Sequence, residues 1–206
     1  MSASHAKVGL LALSVQSKIQ NPKSKIAYRS GQFFAAVLGR ASDEDMEEAR
    51  CVLGPRLYEM FAELPGQYRL HMLAVYRKVR DAGCDDPNVL QAALLHDAGK
   101  YDPTTRRYVS LPYRVVIVLL AATAPGKRLL ARLAEPQAEG RRQKAEGSRM
   151  GWRFPFYLNN HHAELGAQRA QQHGATDDVV RLIANHHKRS VPDAKLAALQ
   201  SADERS

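Results

Sequence analysis

Asp86-Pro87-Asn88-Val89-Leu90-Gln91-Ala92-Ala93-Leu94-Leu95-His96-Asp97-Ala98-Gly99-Lys100 opens on a helix start and closes on chemistry. Asp86 has the side chain of an N-cap, and Pro87 suits the first helical position because its missing N–H would be unpaired there anyway. Val89, Leu90, Ala93, Leu94 and Ala98 follow at helical spacing, and Gly99 marks the end. His96 and Asp97 therefore sit at a helix terminus. Adjacent helical residues point about 100° apart. A long imidazole and a short carboxylate still converge on one point when the helix is ending.

The same reading extends in both directions and gives an all-α chain. Ser42 with Asp45 forms a capping-box-like start. Gly54-Pro55 punctuates that helix, and Pro65-Gly66 breaks the chain again. Leu70, Leu73, Ala74 and Tyr76 recur at helical spacing as far as Gly83. Leu111–Leu133 reads as one long helix, kinked at Pro125-Gly126. Further helices run from about Tyr157 to His173, from Asp177 to His187 behind Thr176, and from Lys195 to Asp203. No hairpin turn with alternating flanks stands out.

The chain has 206 residues, 30 Lys and Arg against 21 Asp and Glu, and a net charge of +9. The apolar fraction of 45% excludes a wholly disordered chain, and the size excludes a fold that needs a metal or disulfide to hold it. Metal ligands, if present, then serve chemistry. Residues 1–30 form a basic segment, expected to be flexible, ahead of a helical domain over 31–206. Residues 135–151 read as a loop. Basic segments at 1–40 and 127–153 carry the positive excess and offer contact with nucleic acid or with anionic lipid; the bland alternative is a solubilising tail. Val115–Ala122 is too short to span a membrane and is expected as a buried helix, with Lys127, Arg128 and Arg132 behind it. Cys51 and Cys84 lack a CxxC context and read as free, buried thiols in a reducing, cytoplasmic setting.

Six histidines fall beside apolar residues: His71, His96, His161, His162, His186 and His187. One such histidine is ordinary packing. Six, with an Asp directly after one of them, suit a divalent transition metal. Trp152, Phe154, Phe156 and Tyr157 ahead of His161 are either a core anchor or a wall for a nucleobase.

At this point the chain resembles the HD-domain superfamily of metal-dependent phosphohydrolases. The resemblance rests on His71, on His96-Asp97 in HDAGK, on His162-Ala163-Glu164-Leu165-Gly166, on Asn185-His186-His187, and on the late Asp203, and covers about residues 60–205. It implies an HD-like helical bundle. His71, His96, Asp97 and Asp203 would hold one divalent ion, and His162 and His186 a second, with Asp97 bridging. The metal would be manganese, iron, magnesium, cobalt or nickel. The implied chemistry is hydrolysis of a phosphate ester, of a nucleotide or related small phosphorylated metabolite, by a metal-activated water. Asp97 and Lys100 would be catalytic, Lys100 by neutralising charge on phosphoryl oxygens, and His187, Lys188 and Arg189 would meet substrate. The chain lacks the Gly-Tyr-Pro signature of the cyclic-dinucleotide branch and the acidic pair of the alarmone hydrolases, so the resemblance stops at the superfamily. A metal-retaining binding or regulatory module without efficient turnover is the alternative.

Overall fold

A computed structural model describes residues 40–135, 151–188 and 192–206. The expected N-terminal segment over 1–30, the apolar stretch at 31–39, most of the loop over 135–151, and Arg189 lie outside the described residues. The chain divides into two units, Met1–Arg40 and Ala41–Ser206, and only the second concerns the site.

That unit is all-α. Among the described residues it contains eight α-helices: α1 (Asp43–Ala62), α2 (Gly66–Asp81), α3 (Pro87–Leu95), α4 (Leu111–Ala121), α5 (Ala124–Ala134), α6 (Phe154–Gln172), α7 (Asp177–Asn185) and α8 (Ala194–Glu204). Their starts are chemically explicit. Ser42 and Asp45 complete a reciprocal capping box on α1. Asp86 accepts the Asn88 and Val89 N–H groups at 2.9 and 3.3 Å. Thr176 accepts from Val179, and Asp193 from Lys195 and Leu196. Gly54 interrupts α1 at φ 68°, a backbone setting costly to any residue with a Cβ, and Pro55 restarts the helix.

Four expectations need correction. The long helix over Leu111–Leu133 is two helices, because Thr123 leaves helical geometry and caps α5 by accepting the Gly126 N–H. Pro125 is thus an early residue of α5, where its ring meets no preceding turn. A hairpin does exist: β1 (Tyr101–Asp102) pairs antiparallel with β2 (Arg107–Tyr108). Two-residue strands are too short to show alternation, and the turn is made by Asp102 accepting from Thr104 and Thr105 and by Arg106 at φ 53°. Cys51 is exposed and Cys84 half-buried, though both thiols are free. Finally, α4 is largely exposed, with only Ile117 buried along it.

Two apolar clusters hold the unit together. The larger joins α1, α2, α3, α7 and α8 with the C-terminal half of α6, through Phe61, Tyr68, Met72, Leu94, Leu95, Leu182, Ile183, Leu196 and Leu199 among others. The smaller packs Val109 and Ile117 against Phe154, Phe156 and Leu158 at the start of α6. Helix α6 therefore crosses from one cluster to the other, and His162 lies at the crossing. Salt bridges fix the start of α8: Lys195 meets Asp86 and Asp178 at 2.9 and 2.6 Å, and Arg181 ties Asp178 to Asp193. No helix among the described residues is long and apolar enough to cross a membrane.

Candidate metal centre

His96 is the C-cap of α3, its N–H still bonded to Ala92 O at 2.8 Å. Asp97 leaves the helix at φ −99°, ψ 4° and starts a single 3-10 turn, Ala98–Lys100. That break separates the two side chains enough to face one centre from different directions. The turn then presses onto α6. A Cβ on Gly99 would stand 2.0 Å from His162 O and 2.6 Å from Gly166 N, while Gly166 approaches Gly99 N from the other side. The two glycines thus let backbone meet backbone, and this sets Asp97 beside His162. Arg169 secures the junction by donating to Ala98 O and Tyr101 O and by pairing with Glu63.

Three further elements, α2, α8 and the end of α7, converge here. Asp97 Oδ2 stands 3.7 Å from His71 Nε2 of α2 and 3.9 Å from His96 Nε2. Asp203 Oδ1, near the end of α8, is 3.2 Å from His71 Nε2 and 3.5 Å from His96 Nε2. The other oxygen of Asp97, Oδ1, stands 3.3 Å from His162 Nε2 and 3.8 Å from His186 Nε2. His187 Nε2 is 2.9 Å from His162 Nε2. The carboxylate of Asp97 thus faces two separate sets of nitrogens, one with each oxygen. Two groups have ligand atoms within 4.8 Å of one another: His71, His96 and Asp97; and His162, His186 and His187.

The donor set fits a divalent transition metal on three counts. It consists of imidazoles and carboxylates. The Nδ1 atoms of His96, His162 and His186 lie 3.0, 2.6 and 2.7 Å from the carbonyls of Ala93, Asn159 and Ile183. Those carbonyls accept only if Nδ1 carries the proton, which turns each Nε2 lone pair inward, as in metal-bound histidine. The inward nitrogens then lack donors of their own. His162 and His186 Nε2 lie 3.3 Å apart as two lone pairs, and the buried His96 Nε2 makes no hydrogen bond among the described residues. A cation relieves both.

Burial and charge set the protonation of the centre. Burial alone would raise Asp97, but Lys100 and the imidazoles of His96 and His162 outweigh it and hold the carboxyl well below the usual range. Asp203 is likewise held low against burial, by the imidazoles of His71 and His96 that face its carboxylate. Burial, aided by His96, pulls His186 down to about 2. Burial, with His162 and Lys100, pulls His187 down to about 4. His162 is lowered by burial and Lys100. For His96 burial acts downward, but Asp97 and Asp203 win and raise it.

These shifts fix the sign of the pH response of the metal-free protein. The unfolded chain protonates its histidines near the ordinary value of 6.5, where folded His162, His186 and His187 stay neutral. The unfolded state then binds more protons, so stability falls as pH falls below about 6.5. His186 alone accounts for about 2 kcal/mol between about pH 7 and pH 5. His96 contributes in the opposite sense and offsets part of it. Chelator-treated protein should melt roughly 5 °C lower at the acid end in calorimetry; a midpoint that rises on acidification would contradict this protonation pattern.

Not every expected residue enters the centre in its expected role. His187, anticipated as a substrate contact, instead joins His162 and His186. Of the adjacent pair on α6, His162 turns inward, while His161 lies with its ring 4.6 Å from that of Tyr157. Lys100 Nζ sits 2.7 Å from Asp97 Oδ2, on the carboxylate itself. Lys188 is exposed and meets α8 through its carbonyl, which accepts from Gln200 at 3.0 Å. Phe154 and Phe156 are buried anchors of α6, but Trp152 is exposed. Arg169 was not singled out from the sequence, since an arginine in mid-helix has no local signal that it will bond a carbonyl across the fold.

Comparison of the chain with protein-family models, with curated proteins and with solved structures finds no match.

Proposed function

We propose that this chain is a metal-dependent phosphohydrolase of the HD type, acting on a phosphate ester of a nucleotide or related small phosphorylated metabolite. The observation that carries the reading is the division of Asp97 between two nitrogen sets, one per carboxylate oxygen. His71, His96, Asp97 and Asp203 would hold one ion, and His162, His186 and His187 the other, with Asp97 common to both. Bound divalent metal supplies a water acidic enough to attack near neutral pH and a clamp for phosphoryl oxygens.

The remaining contributions belong to the chain. Nδ1–H bonds to backbone carbonyls hold three imidazoles in one tautomer and orientation, so no reorganisation is needed when ligands are required. Lys100 is a cation placed against the same carboxylate, suited to neutralise charge gathering on a phosphoryl group. Burial of Asp97, His96, His162 and His186 keeps bulk water from screening these interactions.

One observation favours a second reading. Lys100 already neutralises Asp97 Oδ2 at 2.7 Å, which suits a regulatory or binding module that keeps its ligands without efficient turnover. Elemental mass spectrometry and a phosphate-release screen separate the two. The screen uses nucleotides and nitrophenyl phosphate mono- and diesters, each with manganese, iron, magnesium, cobalt or nickel. The expected result is about two ions per chain and release that depends on them. Bound metal with no release from any substrate would favour the module. No metal after reconstitution would sink both.

A further inference from the structure

Helix α4 is apolar on both sides. Tyr113 and Ile117 face inward, with the Tyr113 ring 5.4 Å from that of Phe156. A second stripe, at i, i+3, i+4 and i+7, consists of Val115, Val118, Leu119 and Ala122, and it faces out. Val115 is 50% exposed, Val118 67% and Leu119 67%, with Val116 at 43% beside them. An aliphatic helix with an uncovered stripe is not what a packed core produces. The turn into α5 continues the surface: Ala122, Thr123, Ala124 and Pro125 are all exposed. So are Lys127, Arg128 and Arg132 on α5, with Leu129 at 45% among them. Their side chains enter no ion pair among the described residues. Between Pro103 and Ala134 there are six Lys and Arg and no Asp or Glu.

We infer that the α4–α5 hairpin is a docking surface for an anionic lipid bilayer. Val115, Val118 and Leu119 would enter the headgroup–acyl boundary, with Lys127, Arg128 and Arg132 against lipid phosphates. Exposed aliphatic side chains on α4, followed on α5 by unpaired cations with Glu135 at its C-cap as the one acid of the hairpin, match that boundary in both of its properties. A second copy of the chain fits less well, because a two-fold contact brings the same patch from each copy, and residues 103–134 hold no Asp or Glu to pair the buried cations. A nucleic acid would leave the aliphatic stripe without a partner. The surface is separate from the metal centre, so the inference stands whether or not the hydrolase reading does.

Co-sedimentation of the full chain with phosphatidylcholine vesicles, with and without phosphatidylglycerol, tests it. Binding is expected only to the anionic vesicles. Lys127→Glu with Arg128→Glu should weaken it by at least about 25-fold, at about fivefold per cation. Val118→Asp with Leu119→Asp should weaken it by at least about tenfold. Both pairs are exposed, so circular dichroism and metal uptake should match the parent protein. Failure of the parent protein to bind anionic vesicles would overturn the inference. So would equal binding by both double variants, which would assign the attachment to other basic segments. A concentration-dependent dimer in sedimentation velocity, abolished by Val118→Asp with Leu119→Asp while vesicle binding persists, would assign the face to a second copy.

Discussion

Asp97→Ala should strip metal from the whole centre, not from half of it. Each carboxylate oxygen faces its own nitrogen set, so the deletion removes a ligand from both groups at once. Elemental analysis should fall from about two ions per chain to near zero. By contrast, His71→Ala should spare the group formed by His162, His186 and His187, which lies on α6 and just beyond α7. The metal-free variant should also be destabilised, because buried His96 and the Lys100 ammonium lose the carboxylate that faces them. Removing one partner from a buried pair costs about 3 kcal/mol. Asp97→Asn keeps the shape and loses the charge, and should weaken metal binding by about 100-fold. If Asp97→Ala keeps one full equivalent of metal, the carboxylate is not shared and the centre is two independent sites.

Gly99→Ala should be as damaging, although glycine binds nothing. The added methyl would meet His162 O at 2.0 Å, and the carbonyl belongs to a helix backbone that has no rotamer to change. Either the 3-10 turn or α6 must move. Overpacking of this kind costs about 3 kcal/mol, which lowers the melting temperature by roughly 10 °C in a domain of this size. The direction of the movement matters more than the cost. It separates Asp97 from His162, so the folded fraction should bind less metal than the parent protein. Gly83→Ala is the control: it adds strain at φ 82° but has nothing within 4 Å, and it stands twelve residues after His71 and thirteen before His96, in the connection between their helices. It should lose stability and keep its metal. Gly99→Ala that binds metal as the parent does would show that the close approach is not what positions Asp97.

The helical class was legible because helices declare themselves locally. Caps at Ser42, Asp86 and Thr176, prolines in first turns, and apolar spacing each act within one or two turns of chain. Histidines beside apolar residues, and an Asp directly after one of them, were visible for the same reason. The β1–β2 hairpin was not, since its strands are two residues long and its turn rests on Asp102 and Arg106. Nor was the division of Leu111–Leu133, where both halves have the same apolar spacing and only Thr123 separates them.

What the sequence by itself determined is the inventory: helical segments over most of the described residues, and a set of imidazoles and carboxylates placed at helix ends and inner faces. The tertiary structure decided which of those groups meet. His187 and not His161 joins His162, because α7 ends against α6 and turns two successive imidazoles toward it. Asp97 serves two nitrogen sets because Gly99 and Gly166 allow a backbone contact across more than sixty residues of chain. Among the described residues, the outward stripe of α4 stays exposed because α6 has one face to offer and Ile117 takes it. Spacing along a chain fixes which face of its own helix a side chain occupies; only packing fixes what that face meets.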